Sequence, residues 1–217
     1  MMFDFRNASF KVKIIGTDGA DQIRAFGNGD NTLEGGWGND TIQGNAGNDY
    51  IVGGRMALVY QQDDNLLDGG AGNDTLIGNM GNDTLKGGDG ADRLNGGGGH
   101  NQLWGGAGND VFVFGYSAPL TPTALIGNDL ILDFQHGDKI DLSAMNYNSK
   151  SYNLPYTFIG SAPFDGHGPE VRVTQTGPST TILLDTAFIG GQMPDGVADG
   201  VIVIWGRHTL TAADFIL

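Results

Sequence analysis

A nine-residue period constrains this chain more than any other feature. Residues 69–95 read GGAGNDTLI, GNMGNDTLK, GGDGADRLN, three successive units of the pattern Gly-Gly/Asn-x-Gly-x-Asp-x-Leu-x. A fixed short period marks a solenoid whose units bury a core only by stacking on their neighbours. The first six residues of each unit are glycine-rich and end in Asp, which predicts a turn with positive φ. The last three place one apolar residue between two others, which predicts a very short strand with that side chain turned inward. Turn and strand alternate, so the chain coils, two nonapeptides to a coil.

Ten such units run over residues 16–113. The second is one residue long and carries Asn31 where Asp is expected, and the ninth carries Asn101. The fifth is interrupted: residues 53–68 hold about seven extra residues, read as a looped-out insertion at 55–62, and Asn65 stands at the Asp position. Units two apart stack, which gives two columns. One is Asp21, Asp40, Asn65, Asp83, Asn101; the other is Asn31, Asp49, Asp74, Asp92, Asp110. The inward residues, from Ile23 and Leu33 through Leu103 and Phe112, supply one core side chain per unit. That core is too thin to offset the entropy of ordering the turns unaided. Residues 1–15 hold an alternating stretch, Phe10-Lys11-Val12-Lys13-Ile14, which predicts a strand capping the N-terminal end.

The repeats resemble the RTX (hemolysin-type) nonapeptides of secreted bacterial proteins. The resemblance implies an all-β, right-handed parallel β-roll, a β-helix-like solenoid loaded with several Ca2+ ions. The chemistry agrees. Calcium takes six to eight oxygen ligands, carboxylates and carbonyls among them, and glycine-rich turns expose carbonyls beside each Asp. Histidine and cysteine clusters of the kind zinc needs are missing. By resemblance an ion sits between stacked turns and takes an Asp from each, with carbonyls at positions two and four of the earlier turn and one and three of the later. The Asp49–Asp74 step would then use the carbonyls of Asn45, Gly47, Gly69 and Ala71. The Asp74–Asp92 step would use Gly70, Gly72, Gly87 and Asp89. The Asp92–Asp110 step would use Gly88, Gly90, Gly105 and Ala107. On the other column Asp21–Asp40 keeps both carboxylates. Steps that contain Asn31, Asn65 or Asn101, such as those beside Asp83, keep one and should be weaker or empty. The alternative for any of these aspartates is an Asx-turn.

Charge and composition set limits on partners. The 38 glycines show no collagen-like three-residue period, so they serve turns. A net charge of −14 excludes a basic stripe for nucleic acid. Repeated Asp favours cations instead, because stacked carboxylates without them repel. With no cysteine, disulfides and thiolate metal sites are excluded. Residues 1–10 lack a signal-peptide pattern, and no stretch approaches the ~20 apolar residues of a membrane-spanning helix. Taken alone, these two features suit a cytosolic protein.

The C-terminal half argues for export. From residue 114 glycine thins out and strands lengthen, at residues 156–159, 170–174, 180–185 and 201–205, which predicts a mainly antiparallel β region continuing or covering the end of the roll. NDLILDF (128–134) and GDKIDLS (137–143) resemble a segment that follows the roll in serralysin-type proteases and in the R-modules of alginate C-5-epimerases. The final Asp214-Phe215-Ile216-Leu217 resembles the tail of substrates of type I (ABC) secretion, and it also reads as a last strand. The segment 195–200 (DGVADG) reads as a plain turn or as another calcium loop.

No HExxH and no GxSxG is present, and no length remains for an epimerase catalytic domain, so the expectation is a non-enzyme. His100 is expected to be exposed. Tyr147, Tyr152 and Tyr156 read as sheet packing or as a sugar platform. Three functions compete: a secreted, extracellular calcium-binding module that folds after export; a polysaccharide- or surface-binding accessory module, helped by basic residues Arg6, Lys11, Lys13 and Arg24; and an enzyme of unrecognised type.

Overall fold

The structure is a computed structural model and describes residues 10–55, 62–115, 129–144, 156–165, 169–185 and 200–217. Eleven strands cover the repeats and the stretch before them: β1 (Lys13–Ile15), β2 (Gln22–Arg24), β3 (Thr32–Gly36), β4 (Thr41–Ala46), β5 (Tyr50–Gly54), β6 (Leu66–Ala71), β7 (Thr75–Met80), β8 (Thr84–Asp89), β9 (Arg93–Gly98), β10 (Gln102–Ala107) and β11 (Val111–Val113). Odd and even strands go to opposite sheets, in the orders β1-β3-β5-β7-β9-β11 and β2-β4-β6-β8-β10. Every pair within these runs is parallel. This is the coil of two nonapeptides expected from the period.

Register follows repeat position. Leu67 pairs with Leu85 and Leu85 with Leu103 in one sheet, while Ile51 pairs with Leu76 and Leu76 with Leu94 in the other. Because side chains alternate across a strand, equal register keeps every apolar residue inside. Leu33, Ile42, Ile51, Leu67, Leu76, Leu85, Leu94, Leu103 and Phe112 are fully buried between the sheets. Turns close tightly at glycine: Gly88 has φ +115°, and a Cβ there would collide with the Gly70 carbonyl of the coil before. The interruption leaves register intact. Asp49 bonds to Asp74 across 25 residues, where the uninterrupted Asp74–Asp92 step spans 18. Of the insertion, residues 56–61 lie outside the described residues.

The roll does not stop at residue 113. β12 (Asp129–Ile131) pairs parallel with β10, and β13 (Lys139–Asp141) pairs parallel with β11. The remaining strands are β14 (Thr157–Gly160), β15 (Glu170–Thr176), β16 (Ser179–Asp185), β17 (Gly200–Trp205) and β18 (Phe215–Ile216). β15, β16 and β17 are antiparallel neighbours, and β17 joins β12 in parallel, so the C-terminal region continues the second sheet. β18 joins β13 and ends the first sheet. Phe112, Phe134, His208, Phe158 and Phe215 mark the aromatic packing at this end, with the Phe112 and Phe134 rings 6.1 Å apart and those of Phe158 and Phe215 5.2 Å apart. Tyr156 is buried, as sheet packing requires, and His100 is exposed. Tyr147, Tyr152 and residues 195–199 lie outside the described residues.

The alternation makes a sharp prediction for two adjacent residues. Leu103→Ala, inward, should cost about 3 kcal/mol, whereas the exposed Gln102→Ala should stay within about 0.5 kcal/mol. Chemical denaturation in calcium-containing buffer measures both, and equal effects would contradict the inward–outward assignment.

Candidate metal sites

Each turn presents its Asp to the coils on either side, and backbone hydrogen bonds fix how. The Asp49 N–H donates to Asp74 Oδ1 (2.7 Å), that of Asp74 to Asp92 Oδ1 (2.7 Å), and that of Asp92 to Asp110 Oδ1 (2.9 Å). On the other side Asp21 donates to Asp40 (2.8 Å), Asp40 to Asn65 (2.9 Å), Asn65 to Asp83 (2.7 Å) and Asp83 to Asn101 (2.8 Å). The two columns read from the sequence are therefore brought together in the expected order.

The second carboxylate oxygen is where the chemistry lies. Oδ2 of Asp40, Asp49, Asp74, Asp83, Asp92 and Asp110 is buried with no hydrogen-bond partner, in residues at most 2 % exposed. Each sits against the first glycine of its own turn, and for all but Asp110 a carbonyl of the next coil flanks the same spot. A Cβ on Gly44 would meet Asp49 Oδ2 and the Gly69 carbonyl oxygen. One on Gly69 would meet Asp74 and Gly87, and one on Gly87 would meet Asp92 and Gly105. Orphaned buried polar atoms are rare in native proteins and call for an unseen partner. An anionic oxygen among carbonyl oxygens calls for a cation.

The other expected donors lie nearby. The Gly70 and Gly72 carbonyls face Gly88 and Gly90 of the next coil. The third-position carbonyls of Ala71, Asp89 and Ala107 each accept one N–H, from Gly47, Gly72 and Gly90 at 2.8 Å, which leaves one lone pair free. Asn45 holds its second-position turn with φ +74°, a conformation Asn tolerates. Among the described residues no three His, Cys, Asp or Glu side chains converge. Any ion here would be held by two carboxylates and by carbonyls. Hard oxygens in that mixture fit calcium.

Burial dominates the electrostatics. It pushes the carboxyls of Asp74 and Asp83 up to about 7 and those of Asp92 and Asp110 up to about 6, with neighbouring carboxylates adding to the rise. Asp40 and Asp49 are raised for the same reason.

Some expected ligands have other partners. Asp21 Oδ2 accepts the N–H (2.6 Å) and hydroxyl (2.9 Å) of Thr17. The Asn101 amide donates to Asp129 Oδ1 at 2.9 Å. Asp129 and Asp138 themselves extend the columns, accepting the N–H of Asn101 and Asp110 at 2.9 Å each. Sequence reasoning passed over both, although each keeps the signature of an Asp two residues before an inward Ile. It also missed a second ladder at position five, where Asn73 donates to Asn48 (2.7 Å), Ala91 to Asn73 (2.8 Å) and His100 to Asn82 (2.9 Å). Its signal was the recurring Gly-Asn-Asp. Two residues of the basic N-terminal patch are neutralised, Lys11 by Asp30 and Lys13 by Glu34, each at 2.9 Å; Arg24 instead reaches Asn45 Oδ1 and the Phe26 ring, and Arg6 lies outside the described residues.

Comparison with known proteins covers nearly the whole chain. The family model described as peptidase M10 serralysin C terminal matches residues 14–217. Among solved structures, the AlgE6R2 subunit of the Azotobacter vinelandii mannuronan C5-epimerase aligns over 94 % of this chain and 91 % of its own, at 22 % identity and TM-score 0.37. The AlgE6R3 subunit aligns over 95 % and 77 %, at 22 % identity and TM-score 0.31. No curated protein matches.

The raised carboxyls predict how the ion-free fold responds to pH. Its aspartates bind protons more tightly folded than unfolded, so the stability they contribute is full below about 4 and is lost as pH rises through 6 to 7. In metal-stripped buffer the folded fraction, read as β signal by circular dichroism, should fall from pH 5 to pH 8. Millimolar calcium should abolish or reverse that trend, since it competes with those protons. A folded fraction in chelator that does not change with pH would contradict the burial of these groups.

Proposed function

The chain belongs to the peptidase M10 serralysin C-terminal family, and on that footing we propose that it is a secreted calcium-binding module, non-catalytic by itself, that folds on taking up Ca2+ after type I export. The observation that carries this reading is the run of buried, unpartnered Asp Oδ2 atoms. Without a cation each is a desolvated charge facing oxygen, and the compact coil is penalised at every turn. With a cation the same atoms become ligands, and binding free energy becomes folding free energy. Calcium supplies positive charge and a flexible oxygen-coordination shell. The chain supplies paired carboxylates, carbonyls and the glycines that let successive coils approach.

Calcium is scarce inside cells and plentiful outside, so such a chain stays unfolded until exported. The C-terminal tail suits that order. Phe215 is buried at 7 % exposure, and β18 is paired to β13. A transporter that reads the last residues would meet them free only before the roll has formed.

Far-UV circular dichroism during a calcium titration from a chelated start tests this. A cooperative coil-to-β transition is expected, with a midpoint near millimolar, that magnesium does not reproduce. Full β structure in chelator, unchanged by calcium, would refute the reading.

One observation favours a second reading, attachment to an extracellular polysaccharide. The outer face of the first sheet carries a groove of about 500 Å³ lined by Ile15, Glu34, Tyr50, Val52, Arg55 and Asn95 among others. Asn95 Oδ1 is buried there without a hydrogen-bond partner. An aromatic ring beside apolar and hydrogen-bonding groups suits a sugar ring. Electrophoresis through gels containing an acidic polysaccharide, with calcium, should retard the wild type and not a Tyr50→Ala/Asn95→Ala variant. Equal mobility of the two would eliminate the groove as the attachment site.

A further inference from the structure

We propose that Asn31, Asn65 and Asn101 stand in for calcium ions, so that this chain holds its tightest ions on one uninterrupted run of turns and fills the sites those three residues would complete with amide hydrogen bonds. The inference rests on the calcium reading above and states which steps of the roll an ion enters.

Each column residue has one side-chain atom committed to the coil before it. For the asparagines that atom is Oδ1, which accepts the N–H of Val12 onto Asn31 (3.1 Å), of Asp40 onto Asn65 (2.9 Å) and of Asp83 onto Asn101 (2.8 Å). A flipped amide would set N–H against N–H, so the orientation is fixed by the donors around it. The Nδ2 group then falls where Oδ2 falls in the aspartates. Over Gly53 and Gly96 the nearest atom is Nδ2 of Asn65 and Asn101; over Gly69, Gly78 and Gly87 it is Oδ2 of Asp74, Asp83 and Asp92.

The two atoms behave oppositely. Every column Asp from Asp40 to Asp110 leaves Oδ2 without a partner. Every Asn satisfies its Nδ2: Asn31 donates to Asp49 Oδ1 (2.8 Å), Asn101 to Asp129 Oδ1 (2.9 Å), and Asn65 to the Asp63 carbonyl (2.8 Å). An amide N–H presents the electropositive end that the neighbouring oxygen needs, in the place a cation would take. A cation entering that step would first have to displace it, and would gain only a neutral amide oxygen as ligand.

The steps therefore divide. Asp49–Asp74, Asp74–Asp92, Asp92–Asp110 and Asp110–Asp138 follow one another with an orphaned Oδ2 at each. On the other column the orphans of Asp40 and Asp83 are isolated, each followed by an Asn turn. Asn31 fastens the step before the run on its own column, Asn101 fastens a step on the other column, and Asn65 closes its own turn on the Asp63 carbonyl.

Native mass spectrometry of the full chain in calcium counts the ions. The wild type is expected to hold about six, with the two on the broken column lost first as calcium is lowered. Asn31→Asp and Asn101→Asp should each add one ion and should reduce the β signal that survives in chelator. Asp92→Asn should remove one ion while the fold in calcium is kept. An ion at every step of the wild type, or folded Asn→Asp variants with an unchanged count, would overturn the proposal. If an Asn→Asp chain does not fold, the count for Asp92→Asn decides alone: an unchanged number of ions overturns the proposal. A wild type that binds no calcium would refute the calcium reading itself, a different result from calcium binding that ignores the asparagines.

Discussion

Around each turn one carboxylate is asked to do two things at once. Its Oδ1 ties the coil to the one before through a backbone N–H, and its Oδ2 is left buried among carbonyl oxygens. The first contact is an ordinary charge-assisted hydrogen bond and favours stacking. The second is a desolvated charge and opposes it. Stacking and desolvation cannot be separated, because both oxygens belong to one rigid group. The roll therefore forms only as far as something neutralises the second oxygen: a cation, a proton, or, at three positions, the replacement of that oxygen by an amide.

The remainder of the architecture is arranged to let that group repeat. One inward Leu or Ile per nonapeptide keeps the two sheets close without filling space the turns need. Glycine at positions one, two and four removes the side chains that would collide with the Asp and with the carbonyls of adjacent coils. An insertion is tolerated between β5 and β6 because the coil on each side is already held by its own ladder bonds, Asp40 to Asn65 and Asp49 to Asp74. Loop length adds little to the entropic cost once the ends are fixed.

The period made most of this legible. A nine-residue repeat with one apolar position has few ways to bury that position, so the two columns, the inward residues and the placement of odd and even strands follow directly. Asp129 and Asp138 were not read as column members because the glycine pair that opens a repeat is missing before them: Ala124-Leu125 and Asp133-Phe134 stand in its place. The turn before Asp138 survives with other chemistry: Gln135 N–H binds Asp138 Oδ2 at 2.7 Å, and Asp133 takes the N–H groups of Gly105 and Gly106 at 2.8 and 2.9 Å. Composition cannot announce the Asp133 substitute, since it depends on a neighbour 28 residues away. The pairing of Lys11 with Asp30 and Lys13 with Glu34 was hidden because the partners lie on other coils.

The same dependence on preceding coils reaches the end of the chain. β13 is positioned by β11 and by the Asp110–Asp138 bond, and it then offers its other edge to β18. Lys139 reaches Ala213 at 2.6 Å, and the short turn there is closed by Thr211 and Asp214. Phe215 enters a pocket beside Phe158 that exists only when both sheets are assembled. Nothing in these last contacts is strong enough to form alone. A two-residue strand has no independent stability, so the tail reports whether the coils before it have closed. Closure of those coils depends in turn on the buried carboxylates, so the charge state of those carboxylates and the accessibility of the C-terminus are two readings of one equilibrium.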